Sequence, residues 1–184
     1  YGAQAQTLDS LKMDPNLKTK GQVLNGYTQL IDEGLNPETN VLSRARLGMN
    51  AYFNQLETRI AFQDTGIWGN RTSINKNGNV DVFEAWAKYN FSPNIYVKVG
   101  RQVLSYDNER LIGETDWAMA GRSFDAVKLG FTLGKDSQLE TVVTYNNDGK
   151  KKYSPDGKII YDILDGAENT KSMQLVHFKT KFDN

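Results

Sequence analysis

The sequence predicts an all-β fold, an antiparallel up-and-down transmembrane β-barrel with about eight strands in this chain and more beyond it. Three observations predict it. Segments of alternating polar and apolar residues recur from residue 17 onward, and a two-residue period belongs to strands with two chemically different faces. The connections between these segments alternate strictly between long and short. Outer-membrane barrels have that asymmetry, with short turns at the periplasmic end and long loops outside. Helical periodicity with capping residues is absent over the same segments.

Bulk properties narrow the classes further. The 184 residues suffice for one domain with a sizeable core. Lys+Arg 22 equals Asp+Glu 22, so no global field favours nucleic acid, and any charge selectivity must arise from local segregation. Cys 0 excludes disulfides and thiolate metal sites. No run of about 18 apolar residues occurs, so no transmembrane helix is predicted. The mean hydropathy of -0.58 is low, but a barrel that alternates lipid-facing and lumen-facing residues and adds polar loops keeps this average low.

The elements follow in order. Residues 1–16 lack periodicity and read as a flexible lead-in, with the barrel expected over 17–184; Ala3-Gln4-Ala5 resembles the end of a signal peptide. Leu17–Leu30 is the first expected strand, weakly patterned. Val41–Phe53 is clearer, with Ala45, Leu47, Met49, Ala51 and Phe53 opposite Arg44, Arg46, Gly48, Asn50 and Tyr52. Leu56–Asp64 sets Thr58, Ile60 and Phe62 against Glu57, Arg59, Ala61 and Gln63. Val80–Phe91 sets Phe83, Ala85, Ala87 and Tyr89 against Glu84, Trp86, Lys88 and Asn90.

Ile95–Leu104 places Val97, Val99 and Val103 opposite Tyr96, Lys98, Gly100 and Gln102. Arg101 falls on its apolar side, which predicts a bulge or the membrane edge near Gly100. Phe124–Leu133 sets Val127, Leu129 and Phe131 against Ala126, Lys128 and Gly130, and Gln138–Tyr145 and Ser172–Phe182 complete the set. Tight turns are expected at Asn54-Gln55, Ser92-Pro93-Asn94 and Gly134-Lys135-Asp136. Long loops are expected at Ile31–Asn40, Thr65–Asn79, Tyr106–Gly121 and Asn146–Lys171; the turn-rich, charged start of the last reads as a mobile surface loop.

Five pieces in order carry a family resemblance: Asn25-Gly26-Tyr27; Ser43-Arg44-Ala45-Arg46-Leu47; Phe62-Gln63-Asp64-Thr65-Gly66-Ile67-Trp68-Gly69; Phe83-Glu84-Ala85-Trp86; and the run from Gly100-Arg101-Gln102 through Tyr106, Arg110-Leu111-Ile112-Gly113 and Asp116-Trp117 to Gly121-Arg122-Ser123-Phe124-Asp125-Ala126. The chain resembles the alginate-export type of outer-membrane β-barrel, in a Bacteroidetes-type variant. The resemblance implies a bacterial outer-membrane location and barrels of about eighteen strands. The chain is therefore expected to be the N-terminal part of a longer barrel. A self-contained eight-stranded barrel, whose interior side chains would fill, is the alternative.

Candidate pore-lining residues are Arg44, Arg46, Arg59, Glu84, Lys88, Lys98, Gln102 and Lys128, with Glu57 and Gln63 on the same faces. Cations outnumber anions there, and cationic rings in a narrow pore favour anions. An anionic or carbohydrate solute, an alginate-like polyuronate by resemblance, is the expected cargo; the same charges could instead pair into a cross-strand network. Arg101, Arg110, Asp116, Trp117 and Arg122 are the candidate constriction or loop residues. Tyr106–Gly121 either folds inward over the pore or supplies Trp117 and Tyr106, with Trp68, to an interfacial aromatic girdle.

No cofactor, metal site or enzymatic activity is expected. Asp107, Asn108 and Glu109 lack the spaced ligands of a calcium loop, and His177, the only histidine, has no evident nucleophile partner. Partners besides membrane lipid and solute would be other envelope proteins, if the barrel serves as a structural subunit or anchor in a larger assembly.

Overall fold

The computed structural model describes residues 7–25, 36–70, 80–145, 151–153, 159–161 and 172–181. β1 (Ser10–Leu24), β2 (Glu38–Tyr52), β3 (Leu56–Ile67), β4 (Val80–Ser92), β5 (Ile95–Gln102), β6 (Phe124–Leu133), β7 (Ser137–Tyr145) and β10 (Ser172–Thr180) form one sheet in that order. Every neighbouring pair is antiparallel. The short strands β8 (Lys151–Tyr153) and β9 (Ile159–Tyr161) pair only with each other, inside the segment expected to be a loop.

The alternation read from the sequence becomes two faces. Leu47 pairs with Phe62 and Phe62 with Val82; Val99 pairs with Val127 and Val127 with Val143. All six are exposed, as are Leu11, Met13, Leu129, Val176 and Phe178. The opposite face is inverted relative to a water-soluble protein, because Arg44, Arg46, Gln63, Glu84, Gln102 and Thr144 are buried there. An exposed apolar face spanning every strand and a covered polar face make this sheet part of an up-and-down β-barrel.

Four details differ from the expectations. β1 begins at Ser10 rather than Leu17, so the second half of the expected lead-in is strand. Pro15 lies within it, tolerated because β1 is an edge strand. Asn25 ends the described part of the first hairpin, and the rest of its expected motif and strand, through Leu30, lies outside the described residues.

Phe83 was expected on the apolar face. The β3–β4 register shifts between Ala61 and Phe62, which face Glu84 and Val82, leaving Phe83 as the extra residue. A bulge of this kind re-aims a side chain, and both Phe83 and Glu84 are buried on the polar side. Of the two alternatives for Gly100, a bulge or the membrane edge, the bulge is not found there. Pairing of β4 with β5 is continuous there and shifts between Asn90 and Ser92 instead. Gly100 takes a φ of +122, and a Cβ there would strike the Ala85 carbonyl. Glycine meets both demands where another residue would be strained.

Finally, among the described residues β1 and β10 are the two edges of the sheet. Among the described residues the eight strands form an open sheet rather than a closed ring.

Candidate functional site: the covered polar face

The connection of residues 103–123 between β5 and β6 folds inward and lies across the polar face. Its start is held by apolar packing. Leu104 is fully buried with Ala126 and Val142, and Tyr106, Ile112, Met173 and Leu175 pack around them. The Tyr106 ring meets the His177 ring at 4.8 Å, and Lys128 Nζ stands 5.0 Å from its centre. Burial, reinforced by the Glu140 carboxylate, pushes the Tyr106 hydroxyl well above the ordinary phenol range. His177 Nε2 lies 3.1 Å from Asp107 Oδ1.

Its far end is held by charge. Arg46 Nη1 donates to Glu114 Oε1 at 2.9 Å, and Arg44 Nη1 lies 2.8 Å from Asp116 Oδ1. Lys18 Nζ reaches Asp116 Oδ2 at 3.4 Å and also donates to the Asp116 carbonyl. Arg44 and Arg46 share a face because they are two residues apart on β2, about 6.6 Å along the strand. Backbone carbonyls complete the seat: Met119 accepts from Arg44 at 3.4 Å, and Ala120 from Gln63 Nε2 at 2.7 Å.

Arg46 is further fixed by Gln63 Oε1 at 2.7 Å and by the Phe83 ring, 3.4 Å from its guanidinium carbon. Gly121, with φ +70, passes against Arg46 and Phe83 where a Cβ would not fit. Between the two acids Thr115 holds a φ of 53. A left-handed β-branched residue costs on the order of 1–3 kcal/mol and persists only where the surroundings enforce it. Here the Thr115 carbonyl accepts from Ala118 N at 2.8 Å, and the Glu114 carbonyl from Arg122 N at 2.7 Å. Desolvation alone would raise the Asp116 carboxyl, but the Arg44 hydrogen bond and the charges of Arg44 and Lys18 hold it below the usual carboxylate value.

A second network links the strands themselves. Arg59 binds Asp14 through Nη1 and Nη2 at 2.7 and 2.8 Å, and Glu84 through Nε at 2.5 Å. Asn50 donates to Asp14 at 3.2 Å and Trp86 Nε1 to Glu84 at 3.1 Å. One guanidinium therefore couples β1, β3 and β4.

A third feature is a lysine row. Lys88 pairs in register with Lys98, and Lys98 with Lys128, on adjacent strands. Like charges placed directly opposite are destabilising. Each has an aromatic ring instead: Lys88 lies 4.8 Å from Tyr96, Lys98 3.7 Å from Trp86, and Lys128 5.0 Å from Tyr106. Glu57 lies 3.9 Å from Lys88 and Glu140 3.2 Å from Lys128, whereas Lys98 has no ion-pair partner among the described residues.

A family model described as alginate export matches residues 17–144. The chain belongs to the alginate-export family. No curated protein matches it. Family membership points to an export or porin-type role, and the covered face of this alginate-export chain holds all eight residues expected to line a pore. Most of their charges are paired, as in the cross-strand network weighed from the sequence. Gln102 is fully buried, with Nε2 donating to the Ala126 carbonyl at 3.1 Å and Oε1 without a partner among the described residues.

The five loop candidates separate. Asp116 joins the arginines, whereas Trp117 is 76 % exposed and Arg110 is exposed. Arg101 lies on the apolar side near the end of β5, donating to the Val82 carbonyl and paired with Asp125 at 3.4 Å. Arg101, Trp117 and Arg122 nonetheless come together, lining a cavity of about 750 Å3 with Phe83 and Gln63. Tyr106 packs inward rather than joining a girdle. Among the described residues no group of three or more acidic or histidine side chains is placed to hold a metal.

Sequence reading missed Glu114, Lys18, Asn16 and Asp14 as members of the site. The detectable signal was acids two apart in the loop, matching arginines two apart on β2.

Proposed function

We propose that this chain forms part of an outer-membrane pore through which an anionic or carbohydrate solute, of the polyuronate class, diffuses passively along the polar face. The observation that carries the reading is the row Lys88–Lys98–Lys128 in cross-strand register, each ammonium on an aromatic ring. Glu57 and Glu140 offset the two outer charges, and the central ammonium of Lys98, without an ion-pair partner among the described residues, is the one that an anion relieves. Flat aromatic surfaces beside cations suit sugar rings that carry carboxylates. The apolar face exposed across all the strands supports a lipid neighbour, and the open edges at β1 and β10 call for further strands, since unpaired backbone is not tolerated in hydrocarbon.

The test is conductance of the full-length protein in planar bilayers. The expected pore is anion-selective, and Lys98→Glu shifts its reversal potential toward cations; a cation-selective pore would overturn the reading. The second reading is a structural barrel subunit or membrane anchor within an envelope assembly. The loop laid over the polar face favours it, and absence of any conductance together with a stably co-purifying partner would establish it.

A further inference from the structure

We propose that the acidic end of the 103–123 loop is a built-in stand-in for cargo: Glu114 and Asp116 occupy a carboxylate-binding site made by Arg46, Arg44 and Lys18, and an oligomer bearing carboxylates on neighbouring units displaces them. The inference rests on the pore reading above, and it names a site on β1 and β2, away from the lysine row on β4, β5 and β6.

The match between loop and wall is the first ground. Two acids two residues apart meet two arginines two residues apart, at 2.9 and 2.8 Å. Thr115 between them is held in a left-handed conformation, so the chain is bent to present both carboxylates to the same wall. A loop that merely had to cover apolar surface would need no such bend.

The second ground is that the receptor side is built and the ligand side is accessible. The Arg44 side chain is 1 % exposed, whereas that of Asp116 is 54 % exposed. Asn16 Oδ1 accepts from Arg44 Nη2 at 2.8 Å, and Gln63 and Phe83 position Arg46. The buried Arg44 Nε has no hydrogen-bond partner among the described residues, so the site has donor capacity that the loop does not use. Planar guanidinium forks suit carboxylates better than other anions of similar charge density.

The third ground is the division of anchoring along the loop. Its Tyr106 end is fixed by apolar burial against β6, β7 and β10, which a soluble anion does not contest. Its acidic end is held by ion pairs whose carboxylates are partly open to solvent, which an anion does contest, and by two hydrogen bonds to the Met119 and Ala120 carbonyls. Displacement therefore swings one end of the loop off the polar face and leaves the other in place.

The experiment uses the full-length protein in planar bilayers, with a hexameric uronate as probe and a neutral hexasaccharide as control. The variant Glu114→Gln with Asp116→Asn removes the competing charges. It is expected to conduct more than the wild type without probe and to respond to the hexauronate at about tenfold lower concentration. The swap Arg44→Glu with Asp116→Arg keeps a loop-to-wall ion pair of reversed sense. It is expected to lose the hexauronate response, and that loss carries the test alone if the first variant does not insert. An anion-selective pore whose conductance and hexauronate response are the same in wild type and both variants overturns the inference while the pore reading stands. Absence of anion-selective conductance in every form overturns the pore reading, and this inference with it.

Discussion

Arg59 bridges two carboxylates in different surroundings, and the two arms of its guanidinium should contribute unequally to stability. The Glu84 side chain is 10 % exposed and that of Asp14 is 51 % exposed, whereas Arg59 itself is 15 % exposed. Among the described residues, Arg59→Met leaves the Glu84 carboxylate with only Trp86 Nε1 at 3.1 Å and Val103 N at 3.5 Å as donors. Breaking a buried pair by removing one partner costs about 3–5 kcal/mol, and the residual exposure places this case near 3 kcal/mol. The Asp14 arm is geometrically better, being bidentate, yet solvent screens it, so Asp14→Asn should cost about 0.5–1 kcal/mol. Urea unfolding of the full-length protein in detergent micelles, followed by tryptophan fluorescence, gives the values for two double-mutant cycles. The Arg59–Glu84 coupling energy should come out near 2 kcal/mol and the Arg59–Asp14 coupling below about 1 kcal/mol. An Asp14 coupling equal to or above that of Glu84 would refute the argument, because geometry rather than burial would then decide the energy.

Other outcomes follow from the same contacts. Gly130 lies under the Tyr96 ring, which a Cβ would strike; Gly130→Val should displace Tyr96 from Glu140 and destabilise the sheet by about 1–3 kcal/mol in urea unfolding, with Tyr96→Ala recovering part of the loss. Leu129→Arg on the exposed apolar face should cost about 2–4 kcal/mol in liposomes if that face meets hydrocarbon, and much less in water-soluble surroundings. For pH, the Asp116 carboxyl is held below its ordinary value of 3.8, so its contribution to seating the loop is complete above that value and lost as pH falls through the folded one. Lys18 and Arg44 are the cationic groups that face it. Acidification below 3.8 should thus loosen the acidic end of the loop, read as a change in Trp117 emission that Asp116→Asn shows already at neutral pH.

The legible part of the fold was the part governed by period two. Arg44 and Arg46 against Leu47, and Lys128 against Leu129, declared their faces because a membrane strand must separate charge from hydrocarbon, and the structure pairs them as that pattern requires. Phe83 did not declare itself. A bulge is one added residue, and a strictly alternating reading carries a phenylalanine to the apolar side whatever the bend does. β1 was misread at its start for a related reason. Met13-Asp14-Pro15-Asn16 offers weak alternation and a proline, which argues against an interior strand but not against an edge one.

Individual lining residues were legible, whereas their pairing was not. Alternation places Arg59 and Glu84 on one face, but whether they meet depends on register and on the bulge at Phe83 that lets Glu84 face Ala61. The loop was harder still, because nothing in Tyr106–Gly121 alone separates a segment facing water from one lying on a wall. What decides it is complementarity across distance: Glu114 and Asp116 have the spacing of Arg46 and Arg44, and neither pair has meaning without the other. A charge count sums both sides of such contacts and returns zero. The same chain, with its loop seated, covers most of the cations expected to line a pore with its own carboxylates, and only Lys98 in the row on β4, β5 and β6 stands on an aromatic ring without an ion-pair partner among the described residues. Selectivity in such a face depends on which carboxylates occupy it rather than on how many cations it contains.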